Sequence, residues 1–330
     1  MKTTPNSNTN ELVVLMPARN ESRTISSAVS AVNDSHVPGM DTSVLVCANA
    51  CTDNTVEVLE AMRGKHKNMD VITEAVPGKP RALNALIDKA ELTHRMGSED
   101  VVMFLDANAK VQESTMSDLV HMLKSDKTLK AVSANDLALP PKSQSVLEHL
   151  LFGVSEISLS SLALRDRKAS CTAVRAKAVK GMRFPEHVIS DDLWMAMYLG
   201  TDSVETHPDA FVTVQPHQNF ASFATNRVKH LMGLYQLEEF FPAHQVRENF
   251  PTGTHEHVQA FMVEDELQDQ FMQLPAVYQA ASVLALPIHA ALKVAAWVGY
   301  RIMPKTPRQT RNAASARVHS RADRITPAGA

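Results

Sequence analysis

The chain has 330 residues, a formal net charge of −3, a hydrophobic share of 44 % and a charged share of 21 %. This balance excludes an intrinsically disordered chain, a collagen-like repeat and a multi-span membrane protein, and it offers no basic domain of the kind nucleic-acid binding requires. Three cysteines, Cys47, Cys51 and Cys171, are too few for a disulfide framework, so a reducing, cytoplasmic setting is expected.

Residues 1–10 are polar, with no apolar run resembling a secretory leader, and are expected to form a flexible tail. Through the following half, about 11–135, short apolar runs bounded by turn residues alternate with helical patterns. The expected strands are Leu12–Met16, Ser43–Ala48, Met69–Thr73, Val101–Leu105 and Ala131–Ser133. The expected helices are Thr24–Asn33, Asn54–Arg63, Pro80–Thr93 and Ser114–Lys124, the third opening with proline where a missing N–H costs nothing. Such alternation predicts an α/β fold with a doubly wound, mostly parallel sheet flanked by helices. The second half, about 136–240, shows a long helical stretch over Ser143–Leu164, a short strand near Ala169–Val174, a helix from Asp191 and another over Ala221–Phe240.

In a parallel α/β sheet, ligands sit beyond the carboxyl ends of the strands. Pro17-Ala18-Arg19-Asn20-Glu21 follows the first strand and Asn49-Ala50-Cys51-Thr52-Asp53-Asn54-Thr55 the second. Gly78-Lys79-Pro80-Arg81-Ala82-Leu83-Asn84 follows the third, setting two cations at a helix start where backbone N–H groups already favour anions. The fourth strand ends in Leu105-Asp106-Ala107-Asn108. Each turn alone is ordinary turn chemistry. Four in succession deliver polar groups to one edge.

These segments resemble the family 2 glycosyltransferases, whose GT-A fold binds a nucleotide-diphospho-sugar over such a sheet. PARNE resembles the family's P-x-x-N-E opening, and ACTDNT its D-G-S-x-D-x-T segment, with Asn49, Ala50 and Cys51 where Asp, Gly and Ser are usual. GKPRALN is similar to its G-K-x-x-A-L-N helix start, and LDANA to its D-x-D strand end, with Asn108 replacing the second aspartate. In the second half Ile189-Ser190-Asp191-Asp192-Leu193-Trp194 resembles the family's E-D motif at a helix amino terminus, with Asp191 replacing Glu.

The resemblance covers about 11–235 and implies an inverting transfer of one sugar from a nucleotide-diphospho-sugar, expected to be UDP-linked, to a hydroxyl acceptor. It implies Asp192 as catalytic base, and a magnesium or manganese ion held by Asp106 with Asn108. Lys79 or Arg81 would stand on the departing diphosphate, and Pro17, Glu21 and Asp53 would line the nucleoside pocket. Asn108 offers only a neutral amide oxygen, so the metal site should be weaker than one with two carboxylates, or be completed by the diphosphate. The processive signature Q-x-x-R-W survives only in its spacing, as Asn226-Arg227-Val228-Lys229-His230, which points to a discrete acceptor, a lipid or a saccharide. Two other functions remain open at this point: a non-catalytic nucleotide-sugar-binding protein on the same fold, motivated by Asn49 and Asn108, and a sugar nucleotidyltransferase, which lacks its expected Gly-rich basic loop here.

The carboxyl part is compositionally distinct. Residues 241–303 are expected to form a helical extension, with five acids over 256–269 and a strongly apolar stretch over Pro275–Met303. Residues 304–330 then carry six cations (Lys305, Arg308, Arg311, Arg317, Arg321 and Arg324) against Asp323, a local balance of +5. An apolar segment beside a basic tail suits either a core helix with a disordered tail or a peripheral contact with an anionic membrane on its cytoplasmic face. Pro287 interrupts the stretch, which argues against a span. His255-Glu256-His257 lacks the i,i+4 spacing of a metalloprotease helix, and no P-loop, G-x-G-x-x-G or G-x-S-x-G is present.

Overall fold

The computed structural model describes residues 10–94, 96–138, 146, 169–214, 220–250, 294–295 and 298–302. Its elements run β1 (Asn10–Ala18), α1 (Ile25–Asp34), β2 (Met40–Asn49), α2 (Thr55–Arg63), β3 (Met69–Glu74), α3 (Lys79–Thr93), β4 (Val101–Leu105), β5 (Ala109–Val111), α4 (Thr115–Ser125), β6 (Ala131–Ala138), β7 (Cys171–Arg175) and β8 (Val204–Val214). Further helices cover Ala176–Val179, Asp191–Leu199, Phe220–Leu237 and Ala243–Asn249. The chain divides into two compact units, one holding 1–139, 166–187 and 199–215, the other 140–165, 188–198 and 216–330.

The first unit contains an eight-stranded sheet in the order β3-β2-β1-β4-β7-β6-β8-β5. β3, β2, β1 and β4 run parallel, as do β6 and β8, whereas β7 and β5 are antiparallel to their neighbours. The parallel half forms because its strands are covered on both faces. All five residues of β4 are buried, as are Leu12–Met16 of β1 and Val44–Asn49 of β2. Continuous rather than alternating apolar runs are the sequence form of that arrangement. Helices α1, α2 and α4 contribute Ile25, Val29, Val32, Leu59, Met116, Leu119 and Leu123 to the same core, each fully buried aliphatic side chain contributing about 1.5–3 kcal/mol against exposure.

The doubly wound sheet expected from the sequence is present, and every strand and helix expected over 11–135 forms within a few residues. The second half departs more. β6 runs to Ala138 rather than Ser133, β8 was not foreseen, nor in the first half was β5, and the helix Ala243–Asn249 lies within the stretch 241–303 that was read as a helical extension. The helix expected over Ser143–Leu164 lies outside the described residues apart from Val146, which is helical. Most of Pro275–Met303, and all of 304–330, lie outside them too. Among the described residues no helix is long and apolar enough to cross a membrane.

Candidate active site

Register brings the chemistry to one edge of the sheet. Ala18 of β1 pairs with Ala48 of β2, and Leu15 with Phe104 of β4, so the carboxyl ends of all three strands open on the same side. β7 runs the other way, with Cys171 opposite Leu105, and this places Ser170 beside Asp106. The Asp106 N–H donates to the Ser170 carbonyl at 2.8 Å. The Asp136 carboxylate in turn accepts from both the N–H and the hydroxyl of Ser170, each at 2.9 Å. Asp136 was missed in the sequence because its strand continues past Ser133 through polar residues. The buried Cys171 thiol is pushed up by burial, with further contributions from Asp136 and Asp106.

The first two loops are bonded to each other. Asn20, at a left-handed φ of 58°, accepts from the Thr52 N–H at 2.8 Å. The Glu21 N–H donates to the hydroxyl oxygen of buried Thr55 at 2.8 Å. The Asp53 carboxylate accepts from the Ser22 N–H at 3.2 Å and from the N–H and hydroxyl of Thr55. The Thr55 hydroxyl first, then Ser22, hold the Asp53 carboxyl down at about 2. Glu21 behaves oppositely. Burial pushes its carboxyl above the ordinary value, the Thr24 hydroxyl at 2.6 Å pulls it part-way back, and the charges of Asp106 and Asp53 add to the rise. Glu21, Asp53 and Asp106 therefore share one negative field.

Asn49 gives the clearest physical account of a departure from the family pattern. Only 2 % exposed, it uses both ends of its amide: Nδ2 donates to the Val76 carbonyl at 2.7 Å, and Oδ1 accepts from the Gly78 N–H at 2.7 Å. It thereby fixes the turn that launches α3. A carboxylate could accept from Gly78 but has nothing to donate to Val76. Next along, Ala50 adopts a φ of 46°, a conformation that glycine, usual at this position in the resembling family, reaches without cost.

Lys79, the first residue of α3, places its ammonium 2.7 Å from Asp106 Oδ1. Arg81, one-third exposed, pairs with Glu186. Asn108 is exposed in the turn between β4 and β5. Among the described residues no group of three or more His, Cys, Asp or Glu side chains is assembled to hold a metal ion. The segment around Glu186 is held to α3 by Asn84, whose side chain donates to the Phe184 carbonyl at 2.9 Å and accepts from its N–H at 2.8 Å. Arg183 adds ion pairs with Asp88 and Glu91.

Asp192 lies in the second unit, at the start of the helix Asp191–Leu199, and its Oδ1 accepts from the Leu193 N–H at 2.9 Å. The approach to that helix is fixed by the helix Phe220–Leu237. The fully buried Gln236 accepts from the Ile189 N–H at 2.9 Å. Gly233 meets Ser190 so closely that an added Cβ would stand 2.2 Å from its hydroxyl oxygen. Trp194, buried on the same helix, stacks on Tyr198 with ring centroids 5.0 Å apart.

A sequence profile described as "Glycosyltransferase like family 2" matches residues 9–233. The chain belongs to this family. As a family 2 glycosyltransferase it is an enzyme of glycosyl transfer, and its eight-stranded α/β unit is the GT-A fold that the sequence led us to expect. Its fold is similar to that of the mannosyltransferase PcManGT from Pyrobaculum calidifontis, solved with GDP-Man and Mn2+. The two share 17 % identity over 98 % of this chain and 89 % of that one, with a TM-score of 0.55. Residues 1–349 of S. aureus TarS, solved with UDP-GlcNAc, share 16 % identity over 88 % of this chain and 91 % of that one, with a TM-score of 0.50. No curated protein matches the sequence.

Proposed function

We propose that the chain is an inverting transferase that moves one sugar from a nucleotide-diphospho-sugar, UDP-linked in our reading, to a hydroxyl acceptor by direct displacement. The observation that carries this is the ion pair of Lys79 with Asp106, where the carboxyl ends of β1, β2 and β4 meet the first turn of α3. A helix start with its own lysine favours a diphosphate, and a carboxylate beside it favours the cation that accompanies one. GDP-Man with Mn2+, and UDP-GlcNAc, in the two structures of similar fold support the donor class.

The residues present fit a divalent cation. Asp106 already accepts a positive charge at 2.7 Å, and Asp106 and Asn108 offer the hard oxygen donors that magnesium and manganese take, with the diphosphate completing the shell. When bound, the ion neutralises charge on the departing diphosphate. Lys79 does the same from the protein side, and Arg81 joins it by exchanging Glu186 for phosphate. Pro17, Glu21 and Asp53 line the nucleoside side. Thr55 bonds Asp53 Oδ1 twice and the Ser22 N–H bonds Oδ2, which fixes the carboxylate in place for a ribose or base contact.

Asp192 is the general base. As the acceptor oxygen bonds to the anomeric carbon and the bond to the diphosphate breaks, the acceptor proton passes to the Asp192 carboxylate, and the nucleoside diphosphate leaves with the bonding pair. One base opposite the leaving group inverts the anomeric centre. Asp192→Asn is expected to abolish transfer while leaving donor affinity nearly unchanged. Turnover within tenfold of wild type would remove Asp192 from this role.

The acceptor side of the proposal includes peripheral contact with an anionic bilayer. Val294, Val298 and Ile302 are 63 %, 43 % and 78 % exposed and recur at helical spacing, while Gly299 and Tyr300 pack on Met232, Tyr235 and Glu239. The six cations of 304–330 follow directly, and an apolar stripe beside basic residues suits acidic headgroups. Vesicles rich in phosphatidylserine should float the protein, and Val298→Asp with Ile302→Asp should abolish flotation. Equal flotation of that variant would remove the membrane from the proposal.

A further inference from the structure

The Lys79–Asp106 pair has a consequence for the order in which the site fills. Its two side chains are 39 % and 35 % exposed, so water screens the pair and it can exchange partners readily. Asn108 adds no charge, and among the described residues no third ligand group is assembled with Asp106. A divalent cation arriving alone therefore meets at Asp106 a carboxylate that already holds an ammonium ion, and must compete with it. A cation arriving on a diphosphate brings its own oxygen ligands. It also offers Lys79 a new anionic partner at the start of α3, where backbone N–H groups add to the attraction.

Resting on the donor site proposed above, we infer that Lys79 is the resident cation of Asp106. It competes with the metal for the carboxylate, so that the metal binds several-fold more weakly alone than at an unpaired Asp106, and is admitted more readily once a diphosphate offers Lys79 another partner. Lys79 thus acts first as a place-holder and then as a phosphate contact, and a single rotation of its side chain exchanges the two roles.

This double role predicts effects of opposite sign from one substitution. Without Lys79 the Asp106 carboxylate is unopposed, so manganese alone should bind about three- to fivefold more tightly, the scale of an exposed ion pair. The same change removes a charge-assisted contact to phosphate, so UDP in the presence of manganese should bind about tenfold or more weakly. A lysine that only stabilised the fold would move both affinities in one direction or neither.

The test is a manganese titration of the full chain followed by electron paramagnetic resonance of the free ion, with and without UDP. It would compare wild type, Lys79→Met, Lys79→Arg and Lys79→Met with Asp106→Asn, each checked for folding by circular dichroism. We expect tighter metal binding without nucleotide in Lys79→Met, a return to wild-type behaviour in Lys79→Arg, and loss of the gain when Asp106 is also changed. Unchanged or weaker metal binding in Lys79→Met, or a gain that survives the loss of Asp106, overturns the inference. Failure of wild type to bind UDP at all would instead defeat the donor reading, while the titration without nucleotide still decides this one.

Discussion

Asn49→Asp isolates the role of the buried amide in shaping the donor loops. The substitution is nearly isosteric and matches the residue usual in the resembling family, so a fold-level argument would score it as neutral. The structure says otherwise. Nδ2 donates to the Val76 carbonyl at 2.7 Å in a site only 2 % exposed. Replacing that donor with a carboxylate oxygen loses the bond to Val76 and the longer one to the Glu74 carbonyl at 3.5 Å, about 1 kcal/mol, and sets a buried carboxylate against a carbonyl, about 1–3 kcal/mol more. The expected loss is about 2–4 kcal/mol at neutral pH. Burial also raises the pKa of the new carboxyl in the folded state. Below its unfolded pKa the protonated group can still donate to Val76, so the deficit should be small in acid and grow as pH rises to the folded-state pKa. Urea denaturation of both proteins between pH 4 and pH 8 measures this directly. A difference under about 0.5 kcal/mol at every pH would refute the assignment of Asn49 as the strut of the Val76–Gly78 turn.

Two further outcomes follow from the geometry. Gly233→Ala, which in an exposed helix would stabilise by about 1 kcal/mol, should here destabilise by about 1–3 kcal/mol, because the new methyl would overlap Ser190 at 2.2 Å; thermal melting reads the sign. Glu21→Gln should raise the melting temperature near pH 7.5, with the gain fading below about pH 4. A carboxyl whose folded-state pKa is raised by burial loses stability as pH climbs from its unfolded value to its folded one, and glutamine can still accept from Thr24.

The parallel half of the sheet was legible because burial on both faces writes a strand as an unbroken apolar run, as in VVMFL of β4, and because Pro80 and Gly78 punctuate the start of α3. β8 was not. Its sequence VETHPDAFVTV carries Pro208 and Asp209 mid-strand, and its burial follows no period of two. β5 has only three residues, too short for any period to show. The polar residues at the strand ends were legible for the same reason as the strands themselves, since the end of an apolar run marks the edge where ligands collect. Their partners were not. Glu186 for Arg81, Asn49 for the Gly78 turn, Gln236 for the Ile189 backbone and Ser170 for Asp136 are contacts between residues far apart in sequence, made by the fold rather than by any local pattern. The same distance conceals that Asp53 is bonded into its loop before any ligand arrives.

In the proposed reaction the strand-end cluster around Lys79, Asp106, Glu21 and Asp53 receives a nucleoside diphosphate with a divalent cation. The most direct test is the melting temperature of the purified chain against UDP, GDP, ADP, CDP and the corresponding triphosphates, each with and without manganese, because a ligand that binds only the folded state raises the midpoint. A rise is expected with one nucleoside diphosphate, UDP in our reading, that depends on manganese and disappears in Asp106→Asn. No rise with any nucleotide, or an equal rise in Asp106→Asn, would contradict it.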